Sequence, residues 1–270
     1  MTQPSGPLSG LRVLDVSIMA AGPWTGALLG MLGAEVIKIE PPAGDGTRWA
    51  LPTQNGMGTN FIAMNVNKKD ITLDLKTDEG RGQFMTLAQS ADILVQNFRV
   101  GVMERLGLGF EAMRASCPQL IYCSISGFGE TGPLRGAGCS DPIMQAYSGF
   151  ARFNGAQGES LDAFRFTGFV DLSTAAIAVE AILAALMDRE RDGAGQEVRV
   201  SMIEAALEMQ CTRVADWLGA GELAVPRGSA SAAFAPDRAY PSADTEIFVS
   251  VCRESEWVGF CRAIDLPELA

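Results

Sequence analysis

The segment Leu11–Pro42 constrains the fold most. An apolar run ending in an acid, Leu11-Arg-Val-Leu-Asp15, leads into a small-residue turn, Ala20-Ala-Gly-Pro23. A helix-like stretch to Leu32 follows, then a second apolar run, Gly33-Ala-Glu-Val-Ile-Lys-Ile-Glu-Pro-Pro42. Strand, turn, helix and strand in that order predict half of a parallel nucleotide-binding-type sheet. A dinucleotide site needs G-x-G-x-x-G so that backbone can approach a pyrophosphate, whereas Met19-Ala-Ala-Gly-Pro-Trp24 has only Gly22 free of a Cβ. A ligand bound at this turn is held another way.

The alternation continues. Ile71–Asp74, Ile93–Gln96, Leu120–Ile125 and Gln196–Ser201 read as strands. Helices are expected from Lys76 to Ala88, over Val102–Leu106, over Pro142–Phe150, and from Ser173 to Arg191, where Gly193 supplies a left-handed stop. One helix is expected over Ile203–Leu218, small flexible residues over Ala224–Ser231, a hairpin over Arg238–Val251 and a helix over Glu254–Ile264. The fold class is therefore α/β: a Rossmann-like parallel sheet flanked by helices over 1–202, a linker helix and flexible linker over 203–230, and the start of a smaller α+β domain over 231–270. Forty residues after a linker are marginal as a free-standing domain, so a fragment ending inside its second domain is expected.

At 270 residues and 47% hydrophobic the chain can bury a sizeable core. Its net charge of −11 argues against nucleic acid as a partner. Charged residues and glycines interrupt the apolar runs, so no membrane span is expected. Six cysteines form no C-x-x-C pair and no leader-like stretch precedes the first strand, which predicts mostly buried, reduced thiols in a cytoplasmic protein. The absence of histidine excludes, within this chain, a Ser-His-Asp triad, a Cys-His dyad and a His-ligated zinc.

Carboxylates then deserve the closest reading. Asp171, in Thr167-Gly-Phe-Val-Asp-Leu-Ser-Thr174, stands where the chain enters a long helix. It is either an N-cap or a nucleophile with helix amides nearby to stabilise an oxyanion, and spacing alone does not choose. Glu40 lies where a ribose-binding acid would, but without a glycine fingerprint Asp15 and Glu40 read sooner as solvated strand ends, and Gly44-Asp-Gly-Thr-Arg48 as a turn carrying one useful arginine. The lysines of Asn65–Lys76 form either a solvated face or a local phosphate-receiving patch. Cations available to line a pocket are Lys38, Arg48, Lys68, Lys69, Lys76, Arg99 and Arg105.

Several segments in order resemble the family III CoA-transferases, which include formyl-CoA:oxalate and carnitine CoA-transferases and the related α-methylacyl-CoA racemases. The resemblance rests on Leu8–Asp15, Ala21-Gly-Pro23, Leu32–Pro41, Asn67–Asp74, Val95-Gln-Asn-Phe98, Ser126–Pro133 and Gly193-Ala-Gly-Gln-Glu-Val198. It implies that Asp171 is the nucleophile, passing through aspartyl anhydride and aspartyl-CoA thioester intermediates. It also implies CoA near Met19, Ala20 and Ala21 (pantetheine), Leu73 and Lys76 (adenine end), and Asn97, Phe98 and Arg105 (nucleotide and phosphates). CoA and acyl-CoA would be substrates, with a small carboxylic acid as acceptor, no permanent cofactor, no metal, and an interlocked homodimer. The chain departs from relatives at three places. Ser140 replaces the racemases' histidine, Ala20 and Pro41 differ from the formyl-CoA transferases, and Ser231-Ala-Ala-Phe234 stands in place of their glycine-rich loop. A racemase using another base and a truncated, non-catalytic CoA-binding paralogue are the alternatives.

Overall fold

The structure, a computed structural model, describes residues 5–153, 155, 158 and 168–270. In chain order its elements are β1 (Arg12–Asp15), α1 (Ala21–Met31), β2 (Glu35–Glu40), a 3-10 turn (Gly46–Trp49), β3 (Thr53–Gln54), β4 (Met57–Gly58), α2 (Thr59–Met64), β5 (Lys68–Thr72), α3 (Asp78–Ala88) and β6 (Ile93–Gln96). Then come α4 (Val102–Arg105), α5 (Phe110–Ser116), β7 (Ile121–Ser126), α6 (Asp141–Tyr147), α7 (Phe150–Phe153), α8 (Phe169–Asp192), β8 (Glu197–Ser201), α9 (Met202–Glu208) and α10 (Cys211–Ala220). The chain closes with β9 (Asp237–Pro241), β10 (Glu246–Ser250), α11 (Glu254–Ala263) and a short 3-10 turn. Two compact units result, one of Met1–Ser148 with Phe166–Cys211 and one of Gly149–Arg165 with Thr212–Ala270.

The first unit is the expected parallel sheet, in the order β5-β2-β1-β6-β7-β8. This is the doubly wound order, with its topological switch between β1 and β6. Central strands are apolar on both faces because helices cover both. Val13, Ile93, Val95, Ile121 and Cys123 pack with Leu29 of α1 and Ile182 of α8. The alternate residues Leu14, Leu94 and Tyr122 pack with Phe84 of α3 and Met113 of α5. The edge strand β5 is instead charged and exposed, which discourages pairing with another chain.

Helix α8 is long and apolar enough, by length and composition alone, to cross a membrane, contrary to the sequence expectation. Val170, Thr174, Ala178, Ile182 and Ala185 form a buried stripe on it, so its apolarity belongs to the core. The helix expected over Ile203–Leu218 is two. Gln210 Nε2 takes the Ala206 carbonyl at 2.9 Å, and the Gln210 amide turns instead to Leu207, ending α9. Only three of the six free thiols, Cys117, Cys123 and Cys261, are buried, fewer than expected. In the second unit β9 and β10 form the expected antiparallel hairpin, and α11 follows it.

Asp15 and Glu40 are not solvated strand ends. Both are buried at the ends of parallel strands, Asp15 beneath a lysine from the edge strand β5 and Glu40 against an arginine from the 3-10 turn that follows β2. Lys68 Nζ on the edge strand lies 2.6 Å from Asp15 Oδ2 and also donates to the Pro23 carbonyl and to Asn65 Oδ1. Glu40 takes Arg48 through both oxygens, at 2.6 and 2.7 Å, and accepts the Asp45 amide at 2.9 Å. Lys38, 1% exposed, donates to the Ser17 carbonyl and lies 3.4 Å from Asp45. Burial opposes the charge on Asp15, but Lys68 and Lys38 hold its carboxyl below the usual range. Lys38, Arg48 and Lys68 are thus internal struts, and not pocket-lining cations. Gly26 makes room for them: a Cβ there would sit 2.8 Å from Asp15 Oδ2 and 3.3 Å from Lys68 Cε.

Removing one partner of such a pair strands the other charge, at a cost of about 3–5 kcal/mol. Lys68→Met is expected to lose about that much in urea unfolding, and adding Asp15→Asn is expected to recover more than half.

Candidate active site

Parallel strands deliver their following loops to one edge of the sheet, and the crevice there opens at the switch between β1 and β6. The loop after β1 holds Met19, Ala20 and Ala21. It is clamped from β6 by Asn97, whose Oδ1 accepts the Ile18 amide at 2.8 Å and whose Nδ2 donates to the Ile18 carbonyl at 2.7 Å. Met19 is exposed and has φ of 68°, a left-handed conformation costly for a residue with a side chain, held by its amide bond to Asp45 Oδ2 at 3.2 Å. Ala20 is the N-cap of α1 and makes no side-chain cap bond. Gly22 has a packing reason: a Cβ there would fall 2.2 Å from Ser17 Cβ and 3.2 Å from Asn97 Cγ. The single glycine of the turn therefore lets helix, loop and Asn97 close on one another.

The other sequence-predicted binding residues follow strands of the same sheet. Phe98 is the second residue after β6, half-buried against the α3 side of the core, and its amide donates to Gln96 Oε1. Leu73, directly after β5, has its side chain in the core, 6% exposed. Lys76 and Arg105 are exposed, and neither makes an ion pair among the described residues. Arg99 lies against the segment before α6, its Nη2 2.8 Å from where a Gly138 Cβ would be.

Asp171 is half-buried on the first turn of α8. A helix preceding a parallel strand starts at the carboxyl edge of the sheet, so α8, which leads into β8, delivers Asp171 to the same edge as the β1 and β6 loops. The residue is not an N-cap. That position is Gly168, left-handed with φ of 74° and without a capping side chain. The capping carboxylate comes from Asp141, thirty residues away on α6: its Oδ2 accepts the amides of Val170 at 2.8 Å and Asp171 at 3.1 Å, and its Oδ1 accepts from Gln145 Nε2. These amides are therefore already engaged, contrary to the expectation that they stand open to an oxyanion. Met144, Val170, Met202 and Ala206 form an apolar floor with Phe128 and Cys139 alongside. Burial, with the Asp141 charge added, pushes the Asp171 carboxyl up to about 7, and burial with the Asp171 charge pushes the Cys139 thiol up to about 11.

Sequence reasoning missed Asp141. It stands in the segment Gly138-Cys-Ser-Asp141-Pro142, and a serine and an acid before proline are themselves a helix-start pattern. No cluster of three or more potential metal ligands occurs among the described residues.

The sequence pattern of CoA-transferase family III matches residues 8–270, and the chain belongs to that family. It is 33% identical over 98% of its length to a succinate–glutarate CoA-transferase of Agrobacterium fabrum, covering 68% of that protein. It is 35% identical over 99% of its length to an acetyl-CoA:oxalate CoA-transferase of Acetobacter aceti, covering 69% of it. Among solved structures, a CAIB/BAIF family protein from Brucella suis superposes with a TM-score of 0.88 at 32% identity, over 98% of this chain and 71% of that one. The chain spans 60% to 71% of the length of the curated relatives it matches. Dicarboxylate and oxalate enzymes are about equally similar, so overall identity does not select an acceptor.

The raised Asp171 carboxyl also bears on stability. The unfolded chain ionises this group near its ordinary 3.8, whereas the folded protein holds the proton up to about 7, so folding disfavours the charged form above that pH. Asp171→Asn is expected to melt higher than the parent at pH 8. The difference should shrink as pH falls through 7 and vanish below about 3.8 in a thermal melt series.

Proposed function

We propose that the protein transfers CoA from an acyl-CoA donor to a carboxylic acid acceptor, with Asp171 as nucleophile. The observation that carries this reading is a half-buried carboxylate with raised proton affinity on the carboxyl edge of a family III sheet. An ionised Asp171 oxygen attacks the thioester carbonyl, the C–S bond breaks, and the CoA thiolate leaves a mixed anhydride. The thiolate then attacks the aspartyl carbonyl, releasing the donor acid and forming an aspartyl-CoA thioester. The acceptor carboxylate attacks that thioester to give a second anhydride and free thiolate. Return of the thiolate to the acceptor carbonyl yields the new acyl-CoA and restores Asp171. A carboxylate of raised proton affinity is the more basic and more nucleophilic one, which suits the first step.

CoA in this reading lies over the carboxyl edge, with its pantetheine arm along Met19, Ala20 and Ala21 and its nucleotide between Leu73 and Lys76 on one side and Asn97, Phe98 and Arg105 on the other. Lys76 and Arg105 suit phosphate because they are exposed and not engaged in ion pairs among the described residues. Asn97 acts through the loop it clamps, and Leu73 through its backbone. A second copy of the chain completes the site as an interlocked homodimer. That agrees with the lack of any buried residue on the amphipathic α10, where Trp217 and Leu218 are exposed. Six unpaired thiols suit the reducing cytoplasm.

The test uses full-length protein, succinyl-CoA as donor and a panel of carboxylic acids. Hydroxylamine or borohydride added with acyl-CoA is expected to modify Asp171, and Asp171→Ala is expected to lose at least about 10³-fold in kcat, the scale on which a lost nucleophile is felt. Since the ionised carboxylate attacks, kcat/KM should rise with pH through about 7. Normal turnover by Asp171→Ala would overturn the reading. Solvent deuterium entering the α-position without an acceptor would favour the racemase alternative, and CoA binding without transfer would favour a non-catalytic paralogue.

A further inference from the structure

We infer that Asp141 is a positioning residue for the proposed nucleophile: its carboxylate holds the Val170 and Asp171 amides, which fixes the turn that carries Asp171 and sets a like charge beside it. The inference rests on the reading of Asp171 as nucleophile.

The geometry is unusual in its economy. Helix α8 begins at a glycine that cannot cap it, so the amides of Val170 and Asp171 need an acceptor. Asp171 is the third helical residue, and in a capping box the side chain there reaches the N-cap amide, here that of Gly168, and not the two amides that follow. The acceptor for those two therefore comes from outside the helix. Here Asp141 holds both amides from outside, at 2.8 and 3.1 Å, is only 5% exposed, and is itself fixed by Gln145. It therefore does two things to Asp171. It fixes the backbone from which that carboxylate projects, and it places a like charge beside it.

Among the described residues, other titratable groups contribute little. The elements packed on the first turn of α8 bring Asp141 on α6 and Cys139 just before it, while α9 brings the apolar Met202, Ile203 and Ala206, and its Glu204 and Glu208 are exposed. The α1 helix, packed further along α8, carries no titratable side chain. The thiol of Cys139 stays neutral at physiological pH because burial pushes it up to about 11. Among the described residues, Asp141 is thus the neighbouring charge that can tune Asp171.

Asp141→Asn separates the contributions. An asparagine oxygen can still accept the two amides, but the charge is gone, so the variant should fold and melt near the parent temperature. In the full-length protein the acid limb of kcat/KM is expected to move at least one pH unit lower, with kcat at pH 8 reduced about tenfold and KM for acyl-CoA changed less than about twofold. Asp141→Ala, lacking the acceptor as well, should lose more kcat, and Asp141→Glu should restore part of it. An unchanged acid limb and kcat in a folded Asp141→Asn protein would reduce Asp141 to a structural cap and overturn the inference. Should that variant fail to fold, Asp141→Gln takes its place, with carbon-13 NMR titration of the Asp171 carboxyl as the readout. A midpoint at least about half a pH unit below the parent's supports the inference, and an unchanged one overturns it. Asp171→Ala separates the two levels of argument. If it is active, the nucleophile reading itself falls, whereas an inactive Asp171→Ala beside an unaffected Asp141→Asn removes only the role of Asp141.

Discussion

The ion pair between Lys68 and Asp15, sealed under α1, is the contact on which the carboxyl edge of the sheet depends. It joins the end of β1 to the edge strand β5 across β2, and Lys68 also takes the Pro23 carbonyl in the first turn of α1. A charge pair this deep exists only if helix and sheet approach closely and every remaining polar atom is satisfied. Gly22, Gly26 and Gly30 permit the approach, since a Cβ at these positions would press on Ser17, Asp15 and Val36 respectively. No buried side-chain nitrogen or oxygen is left without a partner among the described residues. The glycines that a dinucleotide site would turn toward a pyrophosphate are here turned inward, toward a salt bridge.

That difference explains how the β1–α1 loop is held by the protein's own side chains. Its backbone is fixed by side chains: Asn97 on both polar groups of Ile18, Lys38 on the Ser17 carbonyl, and Asp45 on the Met19 amide. The left-handed Met19 is tolerated because its neighbours are held so firmly. A loop shaped in advance costs less to order around a long, flexible ligand than one that must fold on binding.

Periodicity made the sheet legible, because parallel strands covered on both faces are short apolar runs and the helices between them are amphipathic. Ile93–Gln96 and the Gly193 helix stop stand where the sequence puts them. What was not legible was pairing across distance. Asp15, Glu40, Lys38, Lys68 and Arg48 look like surface charges one at a time, and only the register of β1, β2 and β5 brings them together under cover. Asp171 was legible as a helix-start carboxylate and through family likeness, whereas Asp141 was not, since its partner amides lie thirty residues on and nothing local announces them.

Asp15, Asp141 and Asp171 show how one side chain is put to three uses along a single edge. Asp15 is paired with two lysines and a serine, so its charge is stabilised and its oxygens are fully engaged, which leaves it structural. Asp141 has no cation but receives two helix amides, which is enough to hold a buried charge in place as an anchor. Asp171 has neither cation nor amide on its carboxylate among the described residues, and stands beside another anion in a half-buried site. Of the three it alone has no compensating partner among the described residues, the condition that suits the nucleophile proposed above. A carboxylate is marked for such a role less by what surrounds it than by what its neighbours have already taken.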